Sequence, residues 1–385
     1  MKIVCATNMP FVEEAFRNLG DPVVIEGRDI GPDHVRDAEI LALRSTTKVD
    51  KRLLAGSKVR FVGTATIGTD HMDIPYMEEH GIHWCFAPGC NANSVSEYFT
   101  TALLCLASRH GFTIEGKTLG VVGVGNVGKR VAAKGEALGM RVLRNDPPRE
   151  RNGDRLPGET FVSLEQVLAE SDVLTFHVPL TKTGPDKTLG LANAGFLERL
   201  KPSCILFNAA RGPVLATDAL LRSMDTGKVP HCVIDTWEGE PDYRTDLLAR
   251  VDLGSPHIAG HSFEGKVMGT VMVFEEACRF LGIKCDWDVE PLLPPPVVPE
   301  IRLDVTGRKD ESVLWELVHR VYDIEGDDAR FRATAKLPDE KRIRQFDLLR
   351  SNYPVRREFR FTRVELTGAS PSLVKKVSGL GFTTA

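Results

Sequence analysis

The stretch Gly120-Val-Val-Gly-Val-Gly-Asn-Val-Gly-Lys-Arg130 decides the reading of this chain. An apolar run, Leu119 to Val122, enters a turn carrying Gly123, Gly125 and Gly128, and a helical pattern of Val127, Val131, Ala132 and Leu138 leaves it. Strand, tight turn and helix in that order are what a dinucleotide-binding unit requires. The first glycine lets the chain reverse, the second lets backbone approach a pyrophosphate, and the third lets helix and strand pack closely. The helix N-terminus then offers N–H groups and a partial positive charge to the phosphates. A second apolar segment, Met140 to Leu143, leads to Asp146, 18 residues past Gly128 and near where a ribose-binding acid belongs. A glycine-rich turn alone can serve purely as a turn. The flanking strand, helix and acid are what make it a binding motif.

On either side of this stretch, short apolar runs alternate with amphipathic ones. Before it, strands are expected at Lys2–Ala6, Pro22–Ile25, Ile40–Leu43, Val59–Gly63 and Ile82–Phe86, with helices at Pro10–Leu19, Lys51–Leu54 and Ile74–His80. A long helix, Asn93 to His110, leads into the nucleotide segment, and Gly111 stops it. Beyond the motif, strands are expected at 140–144, 173–176, 205–208 and 232–235, with helices at 163–170, 194–200 and 218–223. Such alternation predicts an α/β protein with doubly wound parallel sheets covered on both faces. Phe263 to Leu281 reads as one long helix that can cross back to the first sheet. The proline-rich run Asp288 to Glu300 reads as an extended, semi-rigid linker. After it come expected strands at Ile301–Val305 and Phe359–Leu366, and helices near Ser312–Tyr322 and Ser372–Leu380. Lys341 to Arg360 is strongly basic, with Phe346, Tyr353 and Phe359 between the cations. A solvated face is the ordinary reading of such a run, and an interface or a phosphate contact is the alternative.

The bulk composition narrows the function classes. With 385 residues, 42% of them hydrophobic, the chain can build two or three cores. A net charge of −4 gives no global field for nucleic acid or an anionic membrane, although a local cluster can still hold a phosphorylated metabolite. No stretch approaches the ~18 uninterrupted apolar residues of a membrane span, and Met1 to Ala6 enters a strand pattern rather than a signal peptide. The expectation is a cytoplasmic protein. None of the eight cysteines is in CxxC spacing, and Cys5, Cys105, Cys204 and Cys232 fall inside apolar patterns, so they read as reduced core residues.

Ligands on parallel sheets sit outside the carboxyl ends of strands. Two hydroxyl-rich loops occupy that position early in the chain, Arg44-Ser-Thr-Thr-Lys48 and Thr64-Ala-Thr-Ile-Gly-Thr-Asp70. Their bland reading is solvated turns and helix caps. Three polar residues follow strand ends in the second half: Arg211 in Asn208-Ala-Ala-Arg-Gly-Pro213, Glu240 in Asp235-Thr-Trp-Glu-Gly-Glu-Pro241, and His257 in Gly254-Ser-Pro-His-Ile-Ala-Gly260. Oxidising an alcohol needs a base for the hydroxyl proton while hydride leaves for the cofactor, and a histidine titrates in the right range. A carboxylate beside it holds the tautomer, and an arginine can clamp a substrate carboxylate bidentately. Taken singly, each has a structural alternative: a satisfied histidine, a turn acid before Pro241, a loop-holding arginine. Taken together they describe a 2-hydroxy acid dehydrogenase.

The order of these motifs resembles a known family. Gly123-Val-Gly-Asn-Val-Gly128, Asn208-Ala-Ala-Arg-Gly212, Glu240-Pro241 and Pro256-His257 are similar to the D-isomer-specific 2-hydroxyacid dehydrogenases over residues 1–285. Further likeness lies in Ala42-Leu-Arg-Ser-Thr-Thr-Lys48, Phe61 to Asp73, Cys90 to Tyr98 and His257 to Lys266, and in Phe346-Asp-Leu-Leu-Arg350 and Tyr353 to Phe359. These resemble members of pyridoxal-phosphate synthesis that oxidise a small phosphorylated hydroxy acid. The resemblance implies a flavodoxin-like substrate (lid) domain over 1–95 plus about 259–285 and an NAD-binding Rossmann domain over 96–258. It also implies a linker over 286–300 and a small α+β dimerisation domain over 301–385, hence a homodimer.

By position, the resemblance implies Arg211 as substrate clamp, Glu240 as partner of the base and His257 as proton-transfer residue. It assigns Ser45, Thr66, Arg44 and His261 to substrate, and Asn126, Val127, Asp146, Thr175, Asp235 and Gly260 to NAD. Backbone from Ala209 and Ala210 to Arg211 is expected on the nicotinamide side. Asp146 favours NAD over NADP, because a carboxylate accepts from a ribose 2′-hydroxyl and repels a 2′-phosphate. Position 261 departs from the family pattern, with His where Tyr is usual. The alternatives are oxidation of 3-phosphoglycerate or another D-2-hydroxy acid, and a non-catalytic NAD(H)-sensing protein.

Overall fold

The structure, a computed structural model, describes residues 1–384. Two compact units emerge, Met1–Asn91 with Ser262–Pro295, and Ala92–His261 with Pro296–Ala385. The divisions at 91/92 and 261/262 lie beside the expected borders at 95 and 259, and the C-terminal segment packs within the second unit. Its side chains explain why. Phe331 and Phe346 stack with Trp237 and Tyr243 in one buried cluster, with Phe331 and Tyr243 ring centroids 4.6 Å apart.

In the first unit, β1 (Lys2–Ala6), β2 (Asp21–Ile25), β3 (Ile40–Leu43), β4 (Phe61–Thr64) and β5 (His83–Phe86) form a parallel sheet in the order β2-β1-β3-β4-β5. That is the flavodoxin-like order. The helix Phe263–Leu281 joins this unit, with Phe274 edge-on to Phe16 at 5.6 Å.

In the second unit, β6 (Thr118–Val122), β7 (Arg141–Asn145), β8 (Val173–Phe176), β9 (Ile205–Asn208), β10 (His231–Ile234) and β11 (Leu253–Gly254) form a parallel sheet, order β11-β10-β9-β8-β6-β7. Every residue of β6, β8 and β9 is buried, which is why these strands read as unbroken apolar runs rather than alternating ones. The strand order reverses between β6 and β8, so a crevice opens at the carboxyl end of β6, where Gly123 follows. A small parallel sheet of β12 (Glu300–Asp304), β13 (Arg363–Thr367) and β14 (Thr383–Thr384) completes the unit.

Several local expectations shift. The early helix shortens to Val12–Phe16, because Phe11 takes a left-handed φ of 57° and caps it. The strand expected from Phe359 begins at Arg363, after a 3-10 turn over Phe359–Phe361. The basic run lies partly on a helix, Asp339–Ser351, preceded by another at Ile324–Thr334. Neither shows a clean apolar stripe, since in Asp339–Ser351 only Phe346 is fully buried. All eight cysteines are free thiols, with Cys5, Cys105, Cys204 and Cys232 in the core as expected and Cys285 exposed. No helix among the described residues is long and apolar enough to cross a membrane.

Candidate active site

Each glycine of the β6 turn has its own steric reason. Gly123 has a φ of +87°, and a Cβ there would lie 2.8 Å from the His177 carbonyl. At Gly128 a Cβ would fall 2.0 Å from the Gly123 oxygen, so helix and turn could not close together. Above Gly125 there is open space, which is what close approach of a pyrophosphate needs. Asn126 is exposed and Val127 half-buried at the start of the helix Asn126–Ala137, whose first N–H groups face the turn. Asp146 follows β7 and accepts from Val124 N at 2.8 Å and Arg149 N at 3.1 Å. It therefore caps a short helix, Pro147–Arg151, and ties the glycine turn to β7. A carboxylate accepts about four hydrogen bonds, so these two leave capacity for a ribose hydroxyl.

Glu240 and His257 meet. His257 Nδ1 lies 2.5 Å from Glu240 Oε1, and Glu240 Oε2 accepts from Trp237 N at 2.9 Å. Burial pushes the Glu240 carboxyl up, but the imidazole beside it, the Trp237 N–H and the Arg350 charge outweigh burial and hold it below its usual range. His257 has a left-handed φ of 56°, an uncommon conformation for a non-glycine residue that the surroundings must impose. They do so through Asp235. Its carbonyl accepts from His257 N at 2.7 Å, and its carboxylate accepts from Ser255 Oγ, Ile258 N and Ala259 N. Tyr98 and Trp237 brace the same turn through Ser255.

Arg211 follows β9 on a loop pinned from within. Asn208 accepts from Ala210 N and donates to the Arg211 carbonyl, and Arg211 Nη1 donates to Ala210 O at 2.8 Å. The next residue, Gly212, lies so close to the turn after β10 that a Cβ would sit 1.9 Å from Trp237 O. The Arg211 loop and the Glu240 loop are thus packed backbone to backbone, on adjacent strands.

Two residues expected against NAD have other commitments. Thr175 is fully buried in β8, with its hydroxyl 3.0 Å from His177 Nε2, and Asp235 is 1% exposed with its carboxylate spent on the His257 turn. Ala210 is buried, whereas Ala209 and Gly260 are partly open. His261 lies edge-on to Tyr353 at 5.7 Å, and a cavity of about 180 Å³ lies beside it, lined by Pro256, Ile258, Leu348 and Tyr353. The C-terminal segment therefore reaches the immediate neighbours of His257.

In the first unit, Ser45 is exposed, and Arg44 and Thr66 are half-buried at the ends of β3 and β4. Thr66 donates to Gly68 O at 2.8 Å, so the Thr64 hydroxyl, 2.8 Å away, donates to Thr66 and accepts from His71 Nε2 at 3.0 Å. Burial, with Arg44 adding to it and Asp70 opposing, lowers the His71 pKa to about 4, so the ring is the neutral donor in this relay. Lys48 pairs with Asp50 at 3.3 Å. Much of the basic run is likewise engaged: Arg342 pairs with Asp242 and Asp339, and Arg356 lies over the Tyr322 ring at 4.1 Å.

His71, His177, Trp237 and Arg350 were given no role of their own by the sequence. Each matters through contacts between residues distant in sequence.

Residues 105–259 match the D-isomer specific 2-hydroxyacid dehydrogenase, NAD binding domain, and residues 292–381 match a domain of unknown function. The chain is 47% identical over 383 residues to the erythronate-4-phosphate dehydrogenase of Cronobacter sakazakii, covering 99% of this chain and 98% of that one. It is 47% identical over 385 residues to that of Yersinia pestis, covering 100% and 99%. Among solved structures, it resembles an NAD-bound 3-phosphoglycerate dehydrogenase from Entamoeba histolytica, with a TM-score of 0.62 and 25% identity over 75% of this chain and 98% of that one. The D-lactate dehydrogenase of Aquifex aeolicus, complexed with NAD and lactic acid, gives a TM-score of 0.59 and 25% identity over 73% and 95%. The chain belongs to the D-isomer specific 2-hydroxyacid dehydrogenases, and within them to the erythronate-4-phosphate dehydrogenase family.

Proposed function

We propose that the chain oxidises 4-phospho-D-erythronate at C2 to 2-oxo-3-hydroxy-4-phosphobutanoate, a step in pyridoxal-phosphate synthesis, and works as a homodimer. The observation that carries the chemistry is the His257–Glu240 pair at 2.5 Å, held on a strained turn beside the Arg211 loop.

The residues around the β6 turn fit NAD, because the space over Gly125 is open and Asp146 stands at the end of β7. Gly123, Gly125, Asn126, Val127, Gly128 and Asp146 would hold it, with backbone from Ala209 to Arg211 on the nicotinamide side. When bound, NAD supplies the acceptor for the hydride that leaves C2. Glu240 holds His257 Nδ1, which leaves Nε2 for the substrate hydroxyl. Nε2 takes the hydroxyl proton as the C2–O bond becomes a carbonyl, and the ionised Glu240 stabilises the imidazolium formed. Arg211 grips the substrate carboxylate and the C2 oxygen with its planar fork. Substrate binding is assigned to Ser45, Thr66 and Arg44 in the first unit and to His261 in the second. His261 is the departure from the family pattern, and its imidazole keeps a ring nitrogen able to donate a hydrogen bond. For the homodimer, the support is the resemblance of the C-terminal segment to a dimerisation domain.

Turnover tests the reading. NADH formation with 4-phosphoerythronate should exceed that with 3-phosphoglycerate by at least a hundredfold in kcat/KM. The reverse ranking would reassign the substrate, and no turnover with any 2-hydroxy acid would favour the sensor.

A further inference from the structure

Away from the catalytic loops, three side chains from distant parts of the second unit converge on one point. His110 ends the long helix Ala92–His110, His231 is the first residue of β10, and Asp252 immediately precedes β11. Because β10 and β11 are parallel, His231 and Asp252 share the amino-terminal edge of the sheet. Glu240 and His257 follow the opposite, carboxyl ends of the same two strands.

One oxygen, Asp252 Oδ1, lies 2.7 Å from His110 Nε2 and 3.1 Å from His231 Nδ1, and the three atoms lie within 4.8 Å of one another. The two ring centroids lie 3.9 Å apart, with the ring planes tilted by 39°. A tetrahedral zinc with bonds of about 2.0–2.1 Å separates its ligand atoms by about 3.3 Å. The two oxygen–nitrogen distances are shorter than that by about 0.6 and 0.2 Å, so an ion would push Asp252 Oδ1 outward from both rings.

The support around the cluster is that of a ligand set. Asp252 Oδ2 accepts from Cys232 N at 2.9 Å and Asp252 N donates to Cys232 O, so the carboxylate is aimed before any ion arrives. The side chains of His110 and His231 are 33% and 29% exposed, which gives solvent a path to the site. Nearby cations are already matched. Arg109 pairs with Glu325 and Arg332 with Asp328, and both donate toward the Asp252 carbonyl rather than its carboxylate.

We propose that His110, His231 and Asp252 form a binding site for a borderline divalent cation, zinc foremost, with a solvent molecule as fourth ligand. Two imidazoles and one carboxylate suit that class of ion, and the site would staple the end of a helix to two strands of the nucleotide sheet. It stands independently of the substrate assigned above.

The test is zinc titration of the full chain after chelator treatment, beside His110→Ala and His231→Gln. Ala at an exposed helix end should not disturb folding, which equal NADH-forming rates without metal would verify. The wild type should bind one more zinc per chain than either variant, or bind it at least tenfold more tightly. Its thermal midpoint should rise by roughly 5 °C at 100-fold excess over Kd while the variants stay unmoved. Cobalt should give a spectrum of nitrogen and oxygen ligands, which separates this site from any binding at Cys278 and Cys285. Identical isotherms for wild type and His110→Ala, or a thiolate-to-cobalt band as the only signal, would overturn the proposal.

Discussion

Single residues in this protein carry tasks that their types alone do not reveal. Asp235 looks like a ligand-facing acid after a strand, yet its carboxylate serves three donors that shape the His257 turn. In the proposed mechanism Arg211 is the clamp on the substrate. Arg211→Lys replaces a bidentate fork with a point charge, and kcat/KM should fall at least a hundredfold while NAD affinity stays near normal. Steady-state kinetics with a fluorescence titration of NADH would check this, and unchanged turnover would remove Arg211 from the mechanism. His177 carries a stability prediction. Burial lowers its pKa from 6.5 to about 3, so the folded chain keeps it neutral where the unfolded chain protonates it. Stability contributed by the neutral ring is therefore present above pH 6.5 and lost progressively as pH falls toward 3, by about 1 kcal/mol per pH unit. Glu97, whose buried carboxyl is pushed up, titrates in the opposite sense. The His177 share is thus the difference between wild type and His177→Gln in urea midpoints at pH 7 and pH 5. The variant should show the smaller acid loss.

At the scale of elements, the site depends on how closely two loops approach. The β9 loop carries Arg211 and the β10 loop carries Glu240, and Gly212 lets their backbones touch. Gly212→Ala would drive a methyl group into Trp237 O and separate the loops. Overpacking of this kind costs on the order of 1–3 kcal/mol, and even a 1 Å displacement can cost about a hundredfold in rate. Activity should fall further than stability does, as read by kcat and by the urea midpoint of one preparation. Equal, small changes in both would show that the loops tolerate separation. The helices at 324–334 and 339–351 make a related point, because buried aromatics anchor them even though their charges dominate the sequence.

For the whole molecule, the C-terminal segment is structural as well as a candidate interface. Phe331 and Phe346 complete the cluster around Trp237 and Tyr243, and Arg356 donates to Ala259 O at 2.8 Å, two residues from His257. Ending the chain at 295 should therefore unfold the second unit rather than yield an active monomer. Loss of about 3–5 kcal/mol for each large buried aromatic supports that expectation. Circular dichroism and NADH formation on the shortened chain would show it, and a folded, active product would refute it. Sedimentation of the full chain tests the homodimer directly, and a single monomeric species at micromolar concentration would exclude it.

The sequence by itself determined the local grammar. Glycine spacing around β6, apolar runs of strand length and the order Arg211, Glu240, His257 specified a doubly wound nucleotide fold and a hydroxy-acid chemistry, because turn sterics and hydrophobic period act between near neighbours. What it left open rests on contacts between distant residues. The helical basic run, the joining of the C-terminal segment to the nucleotide unit, the burial of Thr175 and Asp235, and the meeting of His110, His231 and Asp252 appear only once strands lie side by side. Which groups lose water, and which charges then become neighbours, is decided by packing across the sheet, and no spacing along the chain records it.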